Sequence, residues 1–249
     1  FVIGNPIKHS LSPDLHNFWI KKNNISAIYK KVKLEEIELK DFINKLRNEE
    51  IHGINVTVPF KNKVIKYLDK LSLEVESTDS VNTIYKSGKD IIGHNTDVAG
   101  FELGLRHSKI NVLHKSILIL GAGGVVPSII YSLLSMGCKK IYLSNRTISK
   151  AEDIKKKFNE IEVLKWGIIP DFDIIINATS VGLKGDSLDI EFNVKDKVFY
   201  DVIYNPKETH FLKKAKENGN KIENGKYMFI YQANQSFSIW NNVIPKIDE

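Results

Sequence analysis

Short apolar runs alternate along the chain with longer stretches in which apolar residues recur at helical spacing. The runs predicted as strands are residues 1–3, 53–57, 116–120, 140–144, 173–177 and 197–202. The stretches predicted as helices are residues 13–23, 35–48, 99–107, 125–136, 149–158 and 209–218. Strands that alternate with helices in this way predict an α/β fold built on a mostly parallel sheet.

Several predicted helices carry residues typical of helix ends. Ser12 stands before Pro13, as an N-cap serine stands before a proline in the first helical turn. Gly137 and Gly219 follow predicted helices at the position of a C-capping glycine. At 249 residues the chain is long enough for two domains. Since it contains no flexible linker, we expect ordered elements to join them.

The composition is that of a soluble globular protein, with 42% hydrophobic and 27% charged residues. No apolar run approaches the roughly 20 residues of a membrane span, so no membrane partner is predicted. The lone Cys138 leaves no internal disulfide and no cysteine-built metal site, a pattern typical of the reducing cytoplasm. We predict an inert core position for it and no metal site. Because the chain starts at Phe1, we expect a few residues to precede it.

The net charge of +6 favours an anionic ligand. The basic residues are dispersed among acids and lack interleaved aromatic residues, so nucleic acid is a poor fit. A small phosphorylated or carboxylated ligand accounts for the charge as well. The pattern leaves the oligomeric state open between monomer and homodimer.

A continuously apolar strand, residues 117–120, runs directly into a glycine cluster and then into a helix. In dinucleotide-binding folds the first glycine makes the tight turn and the second lets the backbone approach the pyrophosphate, which rests on amides at the helix N-terminus. Gly121 and Gly123 fill those two positions. Val126 replaces the third small residue, so the fingerprint is incomplete, and a mere turn remains an alternative.

The strand after this helix indicates which dinucleotide binds. NAD-binding enzymes place a carboxylate at its end, whereas a 2′-phosphate requires donors and positive charge. This chain has Asn145, Arg146 and Thr147 there, with Lys150 one turn later and no acid before Glu152. Because the arginine fork suits a phosphate, the segment favours NADP over NAD.

Three polar segments in the first hundred residues carry more chemistry than packing requires: residues 4–13, 55–61 and 93–97. Two serines beside a helix N-terminus in the first make a receptor for a carboxylate. The other two end in Lys61 and Asp97, the residue types of an acid/base pair for carbonyl reduction. Sequence alone does not establish that these two side chains meet.

These segments resemble the shikimate dehydrogenase family, in order and over essentially the whole chain. The matching runs are GNPIKHSLSP (4–13), NVTVPFK (55–61), VNT (81–83), GHNTDVAG (93–100), GAGG (121–124), NRT (145–147), NATSVG (177–182) and YNP (204–206), with Gly225, Gln232, Phe237 and Trp240. Each run is short, but together they are specific. Val126 and Pro127 depart from the small residues usual in the family's nucleotide helix.

The resemblance implies an oxidoreductase that reduces 3-dehydroshikimate with NADPH, in the pathway to aromatic amino acids. It implies that Lys61 and Asp97 are catalytic, with Lys61 delivering the proton to the ketone. The implied substrate contacts are Ser10 and Ser12 to the carboxylate, Thr57, Asn82 and Gln232 to the ring oxygens, and Tyr204 close by. The implied cofactor contacts are Gly121, Ala122, Gly123, Gly124, Val125, Asn145, Arg146, Thr147, Lys150, Val202 and Gly225.

We therefore predict a Rossmann-like NADP-binding domain over residues 100–225. A second α/β domain, which binds the substrate, is predicted over residues 1–99 and completed by residues 226–249. We expect the active site in the cleft between the two domains.

Two alternative functions stay open. The first is an enzyme that prefers quinate or uses NAD; residues 145–150 argue against NAD, but nothing in the sequence excludes quinate, which differs from shikimate by one hydroxyl. A silent NADP-binding regulator would need only the glycine loop, and it leaves the serine, lysine and aspartate segments unexplained.

Overall fold

A computed structural model describes residues 1–247. The chain divides into two compact units. The first unit is Phe1–Gly100 with Ile230–Glu249, and the second is Phe101–Phe229. Among residues 1–247, no helix is long and apolar enough to cross a membrane.

The secondary structure comprises strands and helices in alternation. The strands are β1 Val2–Gly4, β2 Lys31–Lys33, β3 Gly53–Val56, β4 Lys70–Leu71, β5 Thr83–Ser87, β6 Asp90–His94, β7 Ser116–Leu120, β8 Lys140–Ser144, β9 Glu162–Leu164, β10 Ile174–Asn177, β11 Val198–Asp201 and β12 Lys221–Asn224. The helices are α1 Ser12–Lys22, α2 Leu39–Arg47, α3 Leu73–Thr78, α4 Thr96–His107, α5 Val126–Ser135, α6 Ile148–Lys157, α7 His210–Glu217 and α8 Lys226–Asn241. The predicted α/β class is confirmed.

The first unit contains a mixed sheet in the order β2-β1-β3-β5-β6-β4. Strand β1 pairs in parallel with β2 and β3, but β5 is antiparallel to both β3 and β6. The hairpin of β5 and β6 turns at Gly88, whose φ is +58°. The sequence prediction missed this hairpin, because strands with many polar residues lack a strong apolar signal. Buried side chains that include Ile3, Ile54, Ile84 and Phe42 form the core.

The second unit contains a parallel sheet in the order β12-β11-β10-β7-β8-β9. Its direction of growth reverses between β7 and β10, which is the topological switch point where ligands bind in such sheets. Strand β7 is buried on both faces, with Ile117 and Ile119 in one core cluster and Leu118 and Leu120 in another. This explains its continuously apolar sequence.

The predicted helix ends were partly right. Gly137 and Gly219 lie just beyond α5 and α7 with φ of +75° and +82°, so both C-cap predictions are confirmed. The Ser12 prediction was wrong. Helix α1 begins at Ser12 itself, its N-cap is Leu11, and the Ser12 amide donates to the Ser10 hydroxyl oxygen at 3.3 Å. Ser10 therefore accepts from the first amide of α1, while the Asp14 and Leu15 amides, which an N-cap Ser12 would have served, donate to the Leu11 carbonyl oxygen.

Cys138 is half-buried against the core of the second unit. Burial raises the pKa of its thiol to about 11. The thiol is therefore protonated near neutral pH, which supports the prediction of an inert position.

Candidate active site and dinucleotide site

Lys61 lies in the turn that follows β3. The buried side chains of Phe60 and Val64 anchor this turn on either side of it. Its carbonyl oxygen accepts a hydrogen bond from the Val81 amide at 2.8 Å, which ties the turn to the start of β5. Backbone contacts thus hold Lys61 in place without using its ammonium group.

The Lys61 ammonium donates to Oδ2 of Asp97. The Lys61 side chain is 14% exposed and that of Asp97 9%. Asp97 stands in the first turn of α4, where a carboxylate is favoured by the helix dipole, and its amide donates to Asn95 Oδ1 at 3.1 Å. The two residues predicted as an acid/base pair therefore meet. A mostly buried ammonium held by a carboxylate is a group that can exchange a proton with a ligand oxygen.

Asn82 contacts the other oxygen of the Asp97 carboxylate. Its Nδ2 donates to Asp97 Oδ1 at 2.9 Å, and Gln232 Oε1 lies 3.4 Å from the same nitrogen. Its Oδ1 accepts the backbone amide of Thr96 at 2.8 Å. A backbone amide can only donate, so this contact determines which end of the Asn82 amide faces Asp97. Four predicted site residues, Lys61, Asp97, Asn82 and Gln232, thus form one cluster.

The serine and threonine segments lie in the same unit. Ser10 lies in the loop before α1 and Ser12 is the first residue of α1; both are half-buried. Thr57 follows β3, and its amide donates to Ile3 O at 2.9 Å. A side chain built at Gly4 would come within 2.5 Å of the Thr57 methyl group, so the loop after β1 passes directly over Thr57.

A buried polar network in contact with Asn82 was not predicted from the sequence. It joins residues that the quoted motifs contain but that received no role: Asn55, Thr83 and Thr96, together with Tyr29 and Ser236. Asn55 and Thr57 alternate along one strand, and the Asn-Thr pair occurs at both 82–83 and 95–96. These repeated polar pairs in apolar surroundings were the signal that could have revealed it.

The glycine loop of the second unit follows β7 at the switch point. Gly121 has φ of +106°, and a side chain built there would lie 2.8 Å from the Ala178 carbonyl oxygen. Its own backbone therefore requires glycine. Gly123 differs, because it is exposed, its φ is not positive, and a built Cβ would meet only Ala178 O at 3.9 Å. No packing within the described chain requires glycine at 123.

The loop also presents backbone donors. Among residues 1–247, the amides of Ala122 and Gly123 donate to no other backbone group. Gly123 and Gly124 are exposed, Val125 is the N-cap of α5, and Pro127 lies in the first turn. Open amides beside space at Gly123 fit a ligand phosphate, because a helix N-terminus attracts anions. The fully buried Val126 packs into the core, so its size leaves the loop surface unchanged.

The segment after β8 reaches the same carboxyl edge of the sheet. Asn145 Nδ2 donates to the Thr147 carbonyl at 2.7 Å, which shapes the turn into α6. Arg146, Thr147 and Lys150 are exposed. These two cations and one hydroxyl are thus accessible to a phosphate, and no carboxylate lies among these three residues.

The remaining predicted residues follow β11 and β12. Tyr204 stacks on Phe229 with ring centroids 4.5 Å apart, and burial raises the pKa of its phenol. A side chain built at Gly225 would approach the Val202 carbonyl oxygen to 2.1 Å. Packing therefore requires glycine at 225 whether or not a ligand binds there.

A buried carboxylate holds these loops together. Asp201 accepts from the Thr209 hydroxyl at 2.7 Å, from Asn177 Nδ2 at 3.1 Å and from the Ile203 amide at 3.0 Å. Burial raises its pKa, while those donors act in the opposite direction. Asn177, the first residue of the NATSVG motif, is thus part of the framework of this edge.

The fold and its two sites define a class: an α/β protein with a Rossmann-type dinucleotide unit and a second unit that carries a buried lysine–carboxylate pair. Residues 2–84 match the shikimate dehydrogenase substrate binding domain, and residues 104–183 match the family described as shikimate / quinate 5-dehydrogenase.

Known proteins agree with this class. A shikimate dehydrogenase (NADP(+)) of Pelagibacter ubique is 58% identical over 250 residues, covering 99% of this chain and 94% of that protein. The crystal structure of shikimate dehydrogenase from Aquifex aeolicus has a TM-score of 0.91 at 39% identity, covering 98% of this chain and 92% of that one. The Thermus thermophilus enzyme, solved with NADP(H) and shikimate, has a TM-score of 0.89 at 27% identity, covering 98% and 94%.

The chain belongs to the shikimate dehydrogenase family. The resemblance seen in the sequence motifs is therefore confirmed, and so is the predicted pairing of a Rossmann-like unit with a second α/β unit.

Proposed function

We propose that this protein is an NADP-dependent shikimate dehydrogenase, which reversibly reduces 3-dehydroshikimate to shikimate in aromatic amino acid biosynthesis. The observation that carries the proposal is the mostly buried contact between Lys61 and Asp97, two residues 36 positions apart in the chain. A ketone becomes an alkoxide as it is reduced, and a positioned ammonium group stabilises that charge and protonates it.

Lys61 and Asp97 act as the catalytic pair in this proposal. NADPH supplies the hydride when it is bound. Lys61 donates a proton to the ketone oxygen, and Asp97 holds its ammonium in place through Oδ2. In the reverse direction neutral Lys61 accepts the hydroxyl proton. The low exposure of both side chains keeps bulk water from competing for that proton.

The substrate contacts extend the same proposal. Ser10 and Ser12 bind the carboxylate, with their position before and at the start of α1 favouring an anion. Thr57, Asn82 and Gln232 bind ring oxygens, and Tyr204 completes the set. The 3.4 Å between Asn82 Nδ2 and Gln232 Oε1 supports this assignment, because both amides then face one ligand position.

The cofactor contacts follow from the second unit. Gly121, Ala122, Gly123, Gly124 and Val125 bind the pyrophosphate, and the space at Gly123 supports this. Asn145, Arg146, Thr147 and Lys150 bind the adenosine 2′-phosphate, which is supported by the exposed donors and charges of the last three and by the turn that Asn145 shapes. Val202 and Gly225 border the nicotinamide end. A cytoplasmic location also belongs to this proposal, supported by the single cysteine.

Use of quinate or NAD is the alternative activity. One solved relative, from Listeria monocytogenes, was crystallised with shikimate and NAD. The carboxylate-free, cationic Asn145–Lys150 segment favours NADP in this chain.

A spectrophotometric assay tests the function. The purified protein is incubated with shikimate or quinate and with NADP or NAD, and absorbance of the reduced cofactor is followed. We expect kcat/KM to be highest for shikimate with NADP. Turnover of quinate at the same efficiency would replace the substrate assignment, and equal efficiency with NAD would replace the cofactor assignment. Binding of NADP without oxidation of either acid would leave a silent regulator.

A further inference from the structure

We propose that a buried cluster of three hydroxyls, Thr83, Thr96 and Ser236, positions the catalytic pair by holding the Asn82 side chain in the place that the Thr96 backbone amide selects. The inference rests on the proposed function, because it explains how the Lys61–Asp97 geometry is maintained. The three residues are hereafter called the hydroxyl cluster. None of them faces the ligand position, since Thr83 and Ser236 are fully buried and Thr96 is 1% exposed.

The hydroxyl cluster is a closed set of contacts. Thr83 and Ser236 oxygens are 2.9 Å apart, Thr96 and Ser236 oxygens 3.2 Å, and Thr83 and Thr96 oxygens 3.3 Å. Ser236 also donates to the Gln232 carbonyl at 3.0 Å. The cluster therefore joins the start of β5, the start of α4 and the middle of α8, and Gln232 is one turn from Ser236 on α8.

Asn82 is the link between the hydroxyl cluster and the catalytic pair. Its Oδ1 lies 3.0 Å from the Thr83 hydroxyl and 3.1 Å from the Thr96 hydroxyl, in addition to the Thr96 amide. The Thr96 amide must donate to Oδ1, so Nδ2 faces Asp97 Oδ1 at 2.9 Å; Nδ2 also donates to the Thr96 hydroxyl oxygen at 2.9 Å, so the hydroxyl cluster contacts both ends of the Asn82 amide. That contact fixes one carboxylate oxygen and leaves the other for Lys61.

A second amide supports the hydroxyl cluster from β3. Asn55 Nδ2 lies 3.0 Å from the Ser236 oxygen, 3.1 Å from the Thr83 oxygen and 2.9 Å from the Asn82 carbonyl. The Tyr29 hydroxyl donates to Asn55 Oδ1 at 2.6 Å. A carbonyl only accepts, so the orientation of Asn55 is determined as that of Asn82 is.

Stability alone gives no reason for this arrangement. Replacing mutually bonded buried polar groups by apolar groups of the same shape is often neutral or stabilising. Valine has nearly the shape of threonine and would fill the same space. A fully satisfied polar network does, however, specify a single arrangement of its members, which apolar packing does not. The hydroxyls thus hold the Asn82 amide in place, and this amide contacts the Asp97 carboxylate.

The test compares Thr96→Val, which removes the hydroxyl, with Thr96→Ser, which retains it. Thr83→Val repeats the test at a second position. The matched control is Ser132→Ala, a fully buried serine of α5 whose hydroxyl contacts the Met136 sulfur at 3.9 Å. Thermal melts of all variants confirm folding. We expect Thr96→Val and Thr83→Val to lower kcat for shikimate about tenfold, the size of one lost hydrogen bond to a charged site, with KM for NADP unchanged. Thr96→Ser and Ser132→Ala stay near wild type.

A second measurement does not depend on turnover. Acetylation of Lys61 by acetic anhydride is quantified by mass spectrometry and normalised to the exposed Lys40. A lysine held by an oriented carboxylate reacts slowly, so we expect Lys61 to react about threefold faster in both valine variants. Unchanged Lys61 labelling, with kcat equal in Thr96→Val and Thr96→Ser, would overturn the inference. If the wild type fails to oxidise shikimate, the proposed function falls, while the labelling still decides the role of the hydroxyl cluster.

Discussion

The two sites of this protein differ in how much of their geometry the chain itself determines. Around Lys61 and Asp97 the side chains are mostly buried, and each bonds to another part of the first unit. Gly123 and Arg146 are exposed, and among residues 1–247 the amides of Ala122 and Gly123 donate to no other backbone group. One site is preorganised, and the other leaves its donors for the ligand to use.

This difference follows from what each site does. Proton transfer requires a donor held within a fraction of an ångström of its acceptor, and buried hydrogen bonds provide that accuracy. Phosphate recognition requires charge and open amides, which tolerate mobility and solvent. Substitutions should accordingly act on turnover in the first unit and on cofactor binding in the second.

The largest effect is expected from Lys61→Met. Removing the ammonium leaves the developing alkoxide without its proton donor, so kcat for shikimate should fall by about 10²–10⁴-fold. KM for NADP should remain within twofold. Lys63→Met is the matched control, since Lys63 lies two residues away and pairs with Glu36 at the surface. A kcat within a few fold of wild type would remove Lys61 from the catalytic pair.

Two alanine substitutions in the glycine loop should have different consequences. Gly121→Ala forces a side chain onto a backbone with φ of +106° and against Ala178 O, so unfolding free energy should fall by about 1–3 kcal/mol in urea titrations. Gly123→Ala should leave that free energy unchanged or raise it by up to about 1 kcal/mol. It should nevertheless weaken NADP binding about tenfold or more, because its methyl occupies the space of the pyrophosphate. Equal stability losses in both variants would argue that position 123 is structural too.

Arg146→Ala should act on the cofactor alone. Loss of a charge-assisted contact to the 2′-phosphate should raise KM for NADP by about 10–100-fold and leave KM for NAD unchanged. The control is Arg106→Ala, an exposed arginine that pairs with Glu102 in α4. Steady-state titrations with both cofactors provide the measurement. A parallel rise in both KM values would mean that Arg146 does not read the 2′-phosphate.

Burial in the first unit should also make its stability sensitive to acid. His16 stacks on Tyr29 at 4.1 Å, neither of its ring nitrogens has a hydrogen-bond partner among residues 1–247, and burial lowers its pKa to about 3. Below about pH 6.5 His16 binds a proton in the unfolded chain but stays neutral in the folded chain. The free energy of unfolding therefore falls by up to about 1.4 kcal/mol per pH unit through His16 as the pH decreases toward 3. His16→Phe should remove this slope in urea titrations between pH 4 and 7. The exposed His52→Phe should retain it, and identical slopes in both variants would reject the assignment.

Predictions from the sequence were most accurate where local conformational preferences and tertiary packing favour the same structure. Strands β7 and β8 have the predicted bounds, because a central parallel strand must be apolar on both faces. The C-caps at Gly137 and Gly219 were found because the left-handed backbone conformation selects glycine locally. The Ser12 cap was wrong, since the choice between Ser10 and Ser12 depends on how the loop after β1 folds back.

Family motifs predicted a set of catalytic and binding residues, but residue chemistry alone left open whether Lys61 and Asp97 meet. They are 36 positions apart, and the contact exists because β3, the β5–β6 hairpin and α4 converge. The hydroxyl cluster was beyond prediction for the same reason, since Ser236 meets Thr83 across 153 positions. Only tertiary contacts distinguish two kinds of glycine in this chain. Packing requires glycine at Gly225 but does not require it at Gly123.

Residue order alone was enough to predict the alternation of strands and helices, the glycine loop, the cationic segment after it and the family to which the chain belongs. Each of these is local, because a few neighbouring residues carry the whole signal. Tertiary structure decided the mixed pairing of the first sheet, the Lys61–Asp97 contact and the network that orients Asn82. Those depend on hydrogen bonds between distant segments, whose partners are selected by geometry after the chain has folded.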